Sequence, residues 1–116
     1  MRLPNGDRAV VDMTKLREYC LSETHPRGKH KARVFAGVLG LSADGADILH
    51  DALLGAARSR QAVLIGEDEF GQRWRVDFAM THLTRRAPVR SFWIVRRDED
   101  FPRFVTCYVT QKVGVE

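Results

Sequence analysis

At Gln72-Arg73-Trp74-Arg75-Val76-Asp77-Phe78-Ala79-Met80 the chain alternates apolar and polar side chains with a period of two. This period is typical of a β-strand that buries one face and leaves the other open. The positions expected to point into the core are Trp74, Val76, Phe78 and Met80. The stretch therefore predicts a strand of an antiparallel sheet that is covered on one side only.

Shorter strand patterns lie on both sides of this stretch. We expect strands at 62–66, 91–96 and 102–109, with a hairpin connection at 67–71 and an acidic turn at 97–100. Because successive strands are joined by short connections, each is expected to pair with its neighbour along the chain. The second half of the chain is therefore predicted to form a sheet of roughly four antiparallel strands.

Before residue 60 the apolar period is helical instead. Asp12 is a predicted N-cap for a helix at about 13–21, a second helix is expected at about 29–39, and a third begins at Ser42 or Asp44. The apolar stripe of the third helix consists of Ile48, Leu49, Ala52, Leu53 and Ala56. Helices followed by hairpin strands indicate an α+β fold, with N-terminal helices packed on one face of the sheet. With 116 residues, 1–116 is expected to be a single domain.

The composition is that of a soluble globular protein, with 44% apolar and 29% charged residues. No segment is long and apolar enough to predict a membrane span, and the N-terminus lacks the apolar run of a signal peptide, so we expect a cytoplasmic protein. Histidines and cysteines show no metal-ligand spacing, which predicts neither a metal site nor a cofactor. Cys20 and Cys107 are interpreted as two buried thiols in a reducing compartment.

Cations are concentrated between the first two predicted helices. The segment Thr24-His25-Pro26-Arg27-Gly28-Lys29-His30-Lys31-Ala32-Arg33-Val34-Phe35 contains no acidic residue, and the net charge of the chain is +4. Arginine and lysine supply charge and donors for a phosphate, and histidine titrates near neutral pH. The segment therefore predicts an anion-binding surface. The alternative interpretation is a solvated basic loop followed by the first turn of a helix.

The order of these features resembles that of the small ribonuclease toxins of the barnase, EndoU, colicin and RelE-like superfamily. It more closely resembles an uncharacterised bacterial protein family within or near that superfamily. The shared motifs are Leu-Pro-Asn-Gly at 3–6, His-Pro-x-Gly-x-x-Lys-Ala-x-x-Phe at 25–35, Phe-Gly at 70–71 and Val-Thr-x-Tyr at 105–108. The chain departs from the pattern at Val109, where many members of such families have proline. The resemblance implies the toxin of a toxin–antitoxin type system, acting as a metal-independent endoribonuclease.

Such an enzyme cleaves RNA by transesterification through the ribose 2′-OH, which requires a base, an acid and donors that stabilise the charged phosphorane. The candidate catalytic residues are His25, Lys31, Thr106 and Tyr108. The candidate substrate-binding residues are Arg27, Lys29, His30, Arg33, Arg73 and Arg75. For Arg73 and Arg75, pairing with Asp77 and with the acids of the hairpin is an equally good interpretation.

The last strand is expected to present Thr106 and Tyr108 on the open face of the sheet together with Phe104, while Val105, Cys107 and Val109 face the helices. There Thr106 would donate to a phosphate oxygen, and Tyr108 would stack on a base or bind the phosphate. The alternative is that both residues reflect ordinary strand propensity.

The expected partners are RNA, either tRNA or mRNA, and a cognate antitoxin or immunity protein. Two other functions remain open. The chain is either a non-catalytic nucleic-acid-binding module that uses the same basic surface, or an interaction protein, accessory or neutralising, whose arginines are only surface charge. The ribonuclease interpretation requires His25, Lys31 and either Thr106 or Tyr108 to meet at one cleft.

Overall fold

The strands form one antiparallel sheet in which neighbours along the chain are neighbours in space. The computed structural model describes residues 1–110. Within them the strands are β1 (Ala62–Asp68), β2 (Gly71–His82), β3 (Arg85–Arg96) and β4 (Pro102–Val109). The helices all precede the sheet, so the predicted α+β class is confirmed. No helix among residues 1–110 is long and apolar enough to cross a membrane.

The first two helices each begin as an α-helix and end in a wider π-helical stretch. The helices are α1 (Met13–Lys15, continued by Leu16–Cys20), α2 (Lys29–Val34, continued by Phe35–Leu39) and α3 (Ala46–Ser59). The predicted N-cap is confirmed, because the carboxylate of Asp12 accepts a hydrogen bond from the backbone N–H of Thr14 at 2.8 Å. Gly40, with a φ of 65°, ends α2 in the left-handed conformation that glycine adopts readily.

The helices cover one face of the sheet and build the core there. Trp93, at 1% exposure, and Val76 are among its largest buried side chains. Ser91 is buried between them, where its hydroxyl donates to the carbonyl of Val76 at 2.7 Å and accepts the indole N–H of Trp93 at 2.9 Å. The core therefore includes one polar group with satisfied hydrogen bonds. Ile48 was expected in the apolar stripe of α3, but this expectation is wrong, since its side chain is exposed.

A β-bulge in β4 changes which side chains face the helices. Phe92 pairs with Thr106 and the next residue of β3, Trp93, pairs with Phe104, so Val105 is an extra residue in β4. Phe104 consequently lies on the helix side, where its ring packs edge-on against Trp93 at 5.6 Å. The prediction that Phe104 shares the open face with Thr106 is wrong, because the bulge interrupts the alternation between these two residues.

Before α1, the described chain pairs with the sheet at a single bridge. Val10 pairs in parallel with Arg103 of β4, and its neighbours have no strand partner within residues 1–110. The chain before α1 therefore runs along the outer edge of β4, and α1 begins next to that edge. This placement brings α1 and β4 together, although they are far apart in the sequence.

Candidate functional site

The junction of α1 and α2 is closely packed at Gly28. A Cβ atom on Gly28 would lie 2.4 Å from the carbonyl oxygen of Tyr19, so only glycine fits there without displacing the backbone of α1. The imidazole of His25 packs edge-on against the ring of Tyr19, with 4.7 Å between the ring centroids. The basic segment is therefore held against the end of α1 by both backbone and side chain.

His25 also organises the turn that leads into α2. Its Nδ1 atom accepts hydrogen bonds from the backbone N–H groups of Arg27 at 3.0 Å and Gly28 at 3.1 Å. A neutral imidazole that accepts at Nδ1 carries its proton on Nε2. Adding a proton at Nδ1 would break both backbone hydrogen bonds. In this arrangement His25 therefore offers a hydrogen-bond donor and not a general base.

The helices meet the last strand along a line of polar contacts that we call the β4 seam, formed by Lys15, Cys20, Lys31, Thr106 and Tyr108. The ammonium of Lys31 lies 4.8 Å from the centroid of the Tyr108 ring, a cation–π contact. The thiol of Cys20 is 3.9 Å from the hydroxyl of Thr106, and Lys15 donates to the carbonyl of Phe104 at 3.3 Å. The seam thus combines two cations with two hydroxyl groups at the edge of the sheet.

Tyr108 lies opposite Arg90 in the register of β3 and β4. The guanidinium of Arg90 makes two hydrogen bonds of 2.9 Å to Asp77. Asp77 first, and the neighbouring Tyr108 hydroxyl after it, raise the pKa of Arg90 above its ordinary value. A guanidinium only donates hydrogen bonds, so the O–H of Tyr108 can donate to a ligand. The ring packs against Phe92, with centroids 6.0 Å apart.

Two groups of cations differ in how their charge is compensated. On the sheet, Arg73 pairs with Asp68 at 3.0 Å, and Arg75 lies 3.6 Å from Asp77. This is the alternative interpretation offered for these two arginines, and their role in substrate binding stays a prediction. In the basic segment at 24–35, by contrast, none of the cationic side chains forms an ion pair with an acid of the described chain. The residues concerned are Arg27, Lys29, His30, Lys31 and Arg33. Positive charge without an acidic partner therefore lies beside the β4 seam, whereas the charges of Arg73 and Arg75 are balanced by carboxylates.

The structure brings part of the predicted catalytic set together. Lys31 and Tyr108 are in direct contact, and Thr106 reaches the same seam through Cys20. His25 is adjacent to the seam but separate from it: its ring contact is with Tyr19, and within residues 1–110 no hydrogen bond or ring contact joins it to the other three candidates. The catalytic assignments stay predictions.

A family model, described as a domain of unknown function (DUF6883), matches residues 2–111. The chain belongs to the DUF6883 family. The expectation of an uncharacterised family is thereby confirmed, whereas membership of the barnase, EndoU, colicin and RelE-like superfamily is not supported by this match. No curated protein is similar to the DUF6883 chain in sequence.

The fold of this DUF6883 domain also occurs in a solved structure. It is similar to one chain of a contact-dependent growth inhibition toxin–immunity protein complex from Klebsiella pneumoniae 342, with a TM-score of 0.66. The two sequences are 18% identical, and the match covers 87% of the DUF6883 chain and 99% of the other chain. At this level of identity the likeness shows a shared fold.

The two cysteines of the DUF6883 domain are buried as expected, but they are also partners, which their separation in the sequence did not indicate. A hydrogen bond from the thiol of Cys107 lowers the pKa of Cys20 to about 7, despite burial, and smaller contributions come from Thr106 and Lys15. Burial raises the pKa of Cys107 well above its ordinary value. The first proton therefore leaves the pair from Cys20, inside the β4 seam.

This arrangement predicts a pH-dependent contribution of Cys20 to stability. The ordinary thiol pKa of 9.0 applies to the unfolded chain, whereas the folded value is about 7. The stabilisation is thus fully present above pH 9 and is lost as the pH falls through 7. We expect the difference in unfolding free energy between wild type and Cys20→Ser to grow between pH 7 and pH 9, measured by urea denaturation. A difference that stays constant over this interval would mean that Cys20 remains a neutral thiol.

Proposed function

We propose that this DUF6883 domain is the toxin of a toxin–antitoxin or toxin–immunity pair, and that it cleaves RNA in the cytoplasm without a metal ion. The observation that carries the proposal is the contact of Lys31 with Tyr108 beside a run of cations that have no acidic partner within residues 1–110. The fold shared with a chain of a toxin–immunity complex supports this setting. The proposed partners are RNA, either tRNA or mRNA, and a cognate antitoxin or immunity protein.

The proposed reaction is attack of a ribose 2′-oxygen on the adjacent phosphorus, with departure of the 5′-oxygen and formation of a 2′,3′-cyclic phosphate. Lys31 stabilises the charge that develops on the phosphorane. Its contact with the Tyr108 ring is worth only about 0.5–1 kcal/mol at an exposed site, so a phosphate can draw the ammonium away. Tyr108, which lies opposite Arg90, donates its proton to the departing 5′-oxygen.

Two further donors complete the proposed site. The hydroxyl of Thr106 and the Nε2–H group of His25 are suited to bind non-bridging phosphate oxygens. Because the Nδ1 atom of His25 is occupied by two backbone N–H groups, we assign the 2′-OH proton to solvent and not to this imidazole. His25 is thereby proposed as a stabiliser of negative charge.

Binding of the rest of the RNA is assigned to the basic segment and to the open face of the sheet. The cations of the segment bind flanking phosphates, which makes the affinity strongly dependent on salt. Phe92 and Tyr108 offer aromatic rings on the open face, where an unpaired base can stack. Arg73 and Arg75 extend this surface, although their charge is already balanced by carboxylates.

The test is incubation of the purified protein with total tRNA and rRNA in the presence of EDTA. We compare wild type with His25→Asn and His25→Ala. The Oδ1 atom of asparagine can accept the two backbone N–H groups as Nδ1 does, but asparagine lacks the Nε2–H donor. We expect wild type to leave 2′,3′-cyclic phosphate ends, and both variants to be slower by roughly 100-fold, the effect typical of one lost oxyanion donor.

Thermal unfolding separates the two variants. His25→Asn loses only the ring contact with Tyr19, so it should unfold closer to wild type than His25→Ala, in which two backbone N–H groups also lose their acceptor. Wild-type protein that binds RNA but yields no product would contradict the ribonuclease assignment.

A non-catalytic nucleic-acid-binding module is the second candidate. One observation favours it: the only lone pair of the neutral His25 ring is used by the backbone, so His25 has none left with which to act as a base. This candidate predicts binding that weakens steeply with salt and no cleavage. An interaction protein without affinity for nucleic acid fits less well, because the cations beside the β4 seam are left uncompensated.

A further inference from the structure

Cys20 and Cys107 lie side by side where α1 packs on β4. The sulfur of Cys20 accepts a hydrogen bond from the backbone N–H of Cys107 and is also hydrogen-bonded to the Cys107 thiol. It lies 3.9 Å from the hydroxyl of Thr106, the residue before Cys107 in the strand. Contacts with two successive residues of β4 therefore hold the two sulfur atoms next to each other.

The chain contains two cysteines, and the fold places both of them at this contact as free thiols. A cysteine that serves only as a small core residue does not require a second cysteine as its neighbour. Sulfur atoms in hydrogen-bond contact need to approach by only about 1–2 Å to reach bonding distance. The arrangement therefore indicates thiol chemistry within one chain.

The two thiols differ in how readily they react. The thiolate is the reactive form of cysteine, and the contacts with Cys107 lower the pKa of Cys20 to about 7, so a large fraction of Cys20 is ionised near neutral pH. Burial raises the pKa of Cys107, which stays protonated. Because each side chain is only 1% exposed, the oxidant has to be small and has to enter when α1 opens locally. Hydrogen peroxide meets this requirement.

We propose that Cys20 and Cys107 form a reversible redox site, in which a peroxide oxidises the pair to a disulfide that joins α1 to β4. The thiolate of Cys20 attacks one peroxide oxygen, which breaks the O–O bond and leaves a sulfenic acid and hydroxide. The sulfur of Cys107 then attacks the sulfur of Cys20, and the proton of Cys107 leaves with the displaced hydroxide as water. In total the pair loses two electrons, and the peroxide, with two protons, becomes two water molecules.

The proposed disulfide fixes the β4 seam covalently when the chain meets an oxidising environment. It connects positions 20 and 107, so it closes a long loop in the unfolded chain and removes part of its conformational entropy. The inference does not depend on the proposed function, because neither RNA nor a partner protein takes part in the reaction.

The first experiment measures the intact mass of the full chain after oxidation. The protein is reduced with dithiothreitol, freed of the reductant, treated with hydrogen peroxide at about pH 8, denatured and alkylated. We expect a mass about 2 Da below that of the reduced chain and no alkylated thiol, because a disulfide forms with the loss of two hydrogens. Peptide mapping without reductant should join the Cys20 and Cys107 peptides, and dithiothreitol should restore both thiols.

Thermal unfolding is the second measurement. Oxidised wild type should unfold at a midpoint roughly 10 °C above that of the reduced protein. Cys107→Ala is the control, because peroxide should convert its Cys20 to a sulfenic or sulfinic acid, which adds oxygen to the mass without raising the midpoint. Cys20→Ala should react most slowly, since the remaining thiol is the one whose pKa is raised.

The wild-type protein alone decides the outcome if either variant fails to fold. Oxygen added to wild type without a link between the two peptides would overturn the proposal. A disulfide that joins two chains would do the same, as would two thiols that remain free after the treatment. A midpoint that rises equally in Cys107→Ala would also count against it, because the stabilisation would then not come from a disulfide.

Discussion

Replacement of Lys31 by methionine is expected to slow RNA cleavage by roughly 100-fold or more, the loss associated with removing one charge-stabilising group from a phosphoryl transition state. Lys31 is exposed on α2, and methionine keeps an unbranched chain that can still lie on the Tyr108 ring. The fold should therefore be unchanged. Initial rates at several RNA concentrations in EDTA would measure the effect, which should fall on kcat.

Lys29→Met is the matched control for this variant. Lys29 lies in the same basic segment and has the same charge, but it makes no contact with Tyr108. Its loss should weaken RNA binding modestly and leave kcat close to wild type. If both variants lost the same activity, the segment would act only through its total charge, and Lys31 would have no special place in the reaction.

Replacement of Gly28 by alanine is expected to destabilise the protein by about 3 kcal/mol, at the upper end of the range for overpacked sites. The added methyl group would overlap the carbonyl oxygen of Tyr19, and a backbone atom cannot move aside as the end of a side chain can. Separation of α2 from α1 should also release His25. Urea denaturation would measure the loss of free energy as a lower midpoint.

Gly37→Ala is the comparison for Gly28→Ala. Gly37 also lies in α2, but a Cβ atom there would meet nothing within 4 Å. Alanine should stabilise this helix by up to about 1 kcal/mol, because glycine has the poorer helix propensity. Equal destabilisation by both substitutions would show that the α1–α2 contact is not as close as described.

The strands were predictable where their side chains alternate, but the hairpin between β2 and β3 was not. The prediction ended the second strand at residue 80, whereas β2 and β3 continue to a two-residue turn at Leu83 and Thr84. Leu83 has a φ of 59°, a conformation that favours glycine or asparagine. Because leucine gives no sequence signal for such a turn, the full length of both strands was missed.

Only those residues of the site that lie close together in the sequence could be predicted as a group. The basic segment is contiguous in sequence. The ribonuclease interpretation required Lys31 to lie near Thr106 or Tyr108, and Lys31 contacts Tyr108. The partnership of Cys20 with Cys107, and the place of Lys15 beside them, depend on how α1 docks on β4. No spacing rule connects residues so far apart, so their assembly required the fold itself.

The docking of α1 on β4 has a consequence for the order in which the protein is made. Ribosomes synthesise α1 before the sheet. Lys15 and Cys20 of this helix, and Val10 before it, contact residues of β4, which is synthesised last among the strands. Contacts of such long sequence separation form late in folding. A nascent chain therefore lacks the complete seam until β4 has left the ribosome, and any protein that recognises the finished seam binds only after β4 has emerged.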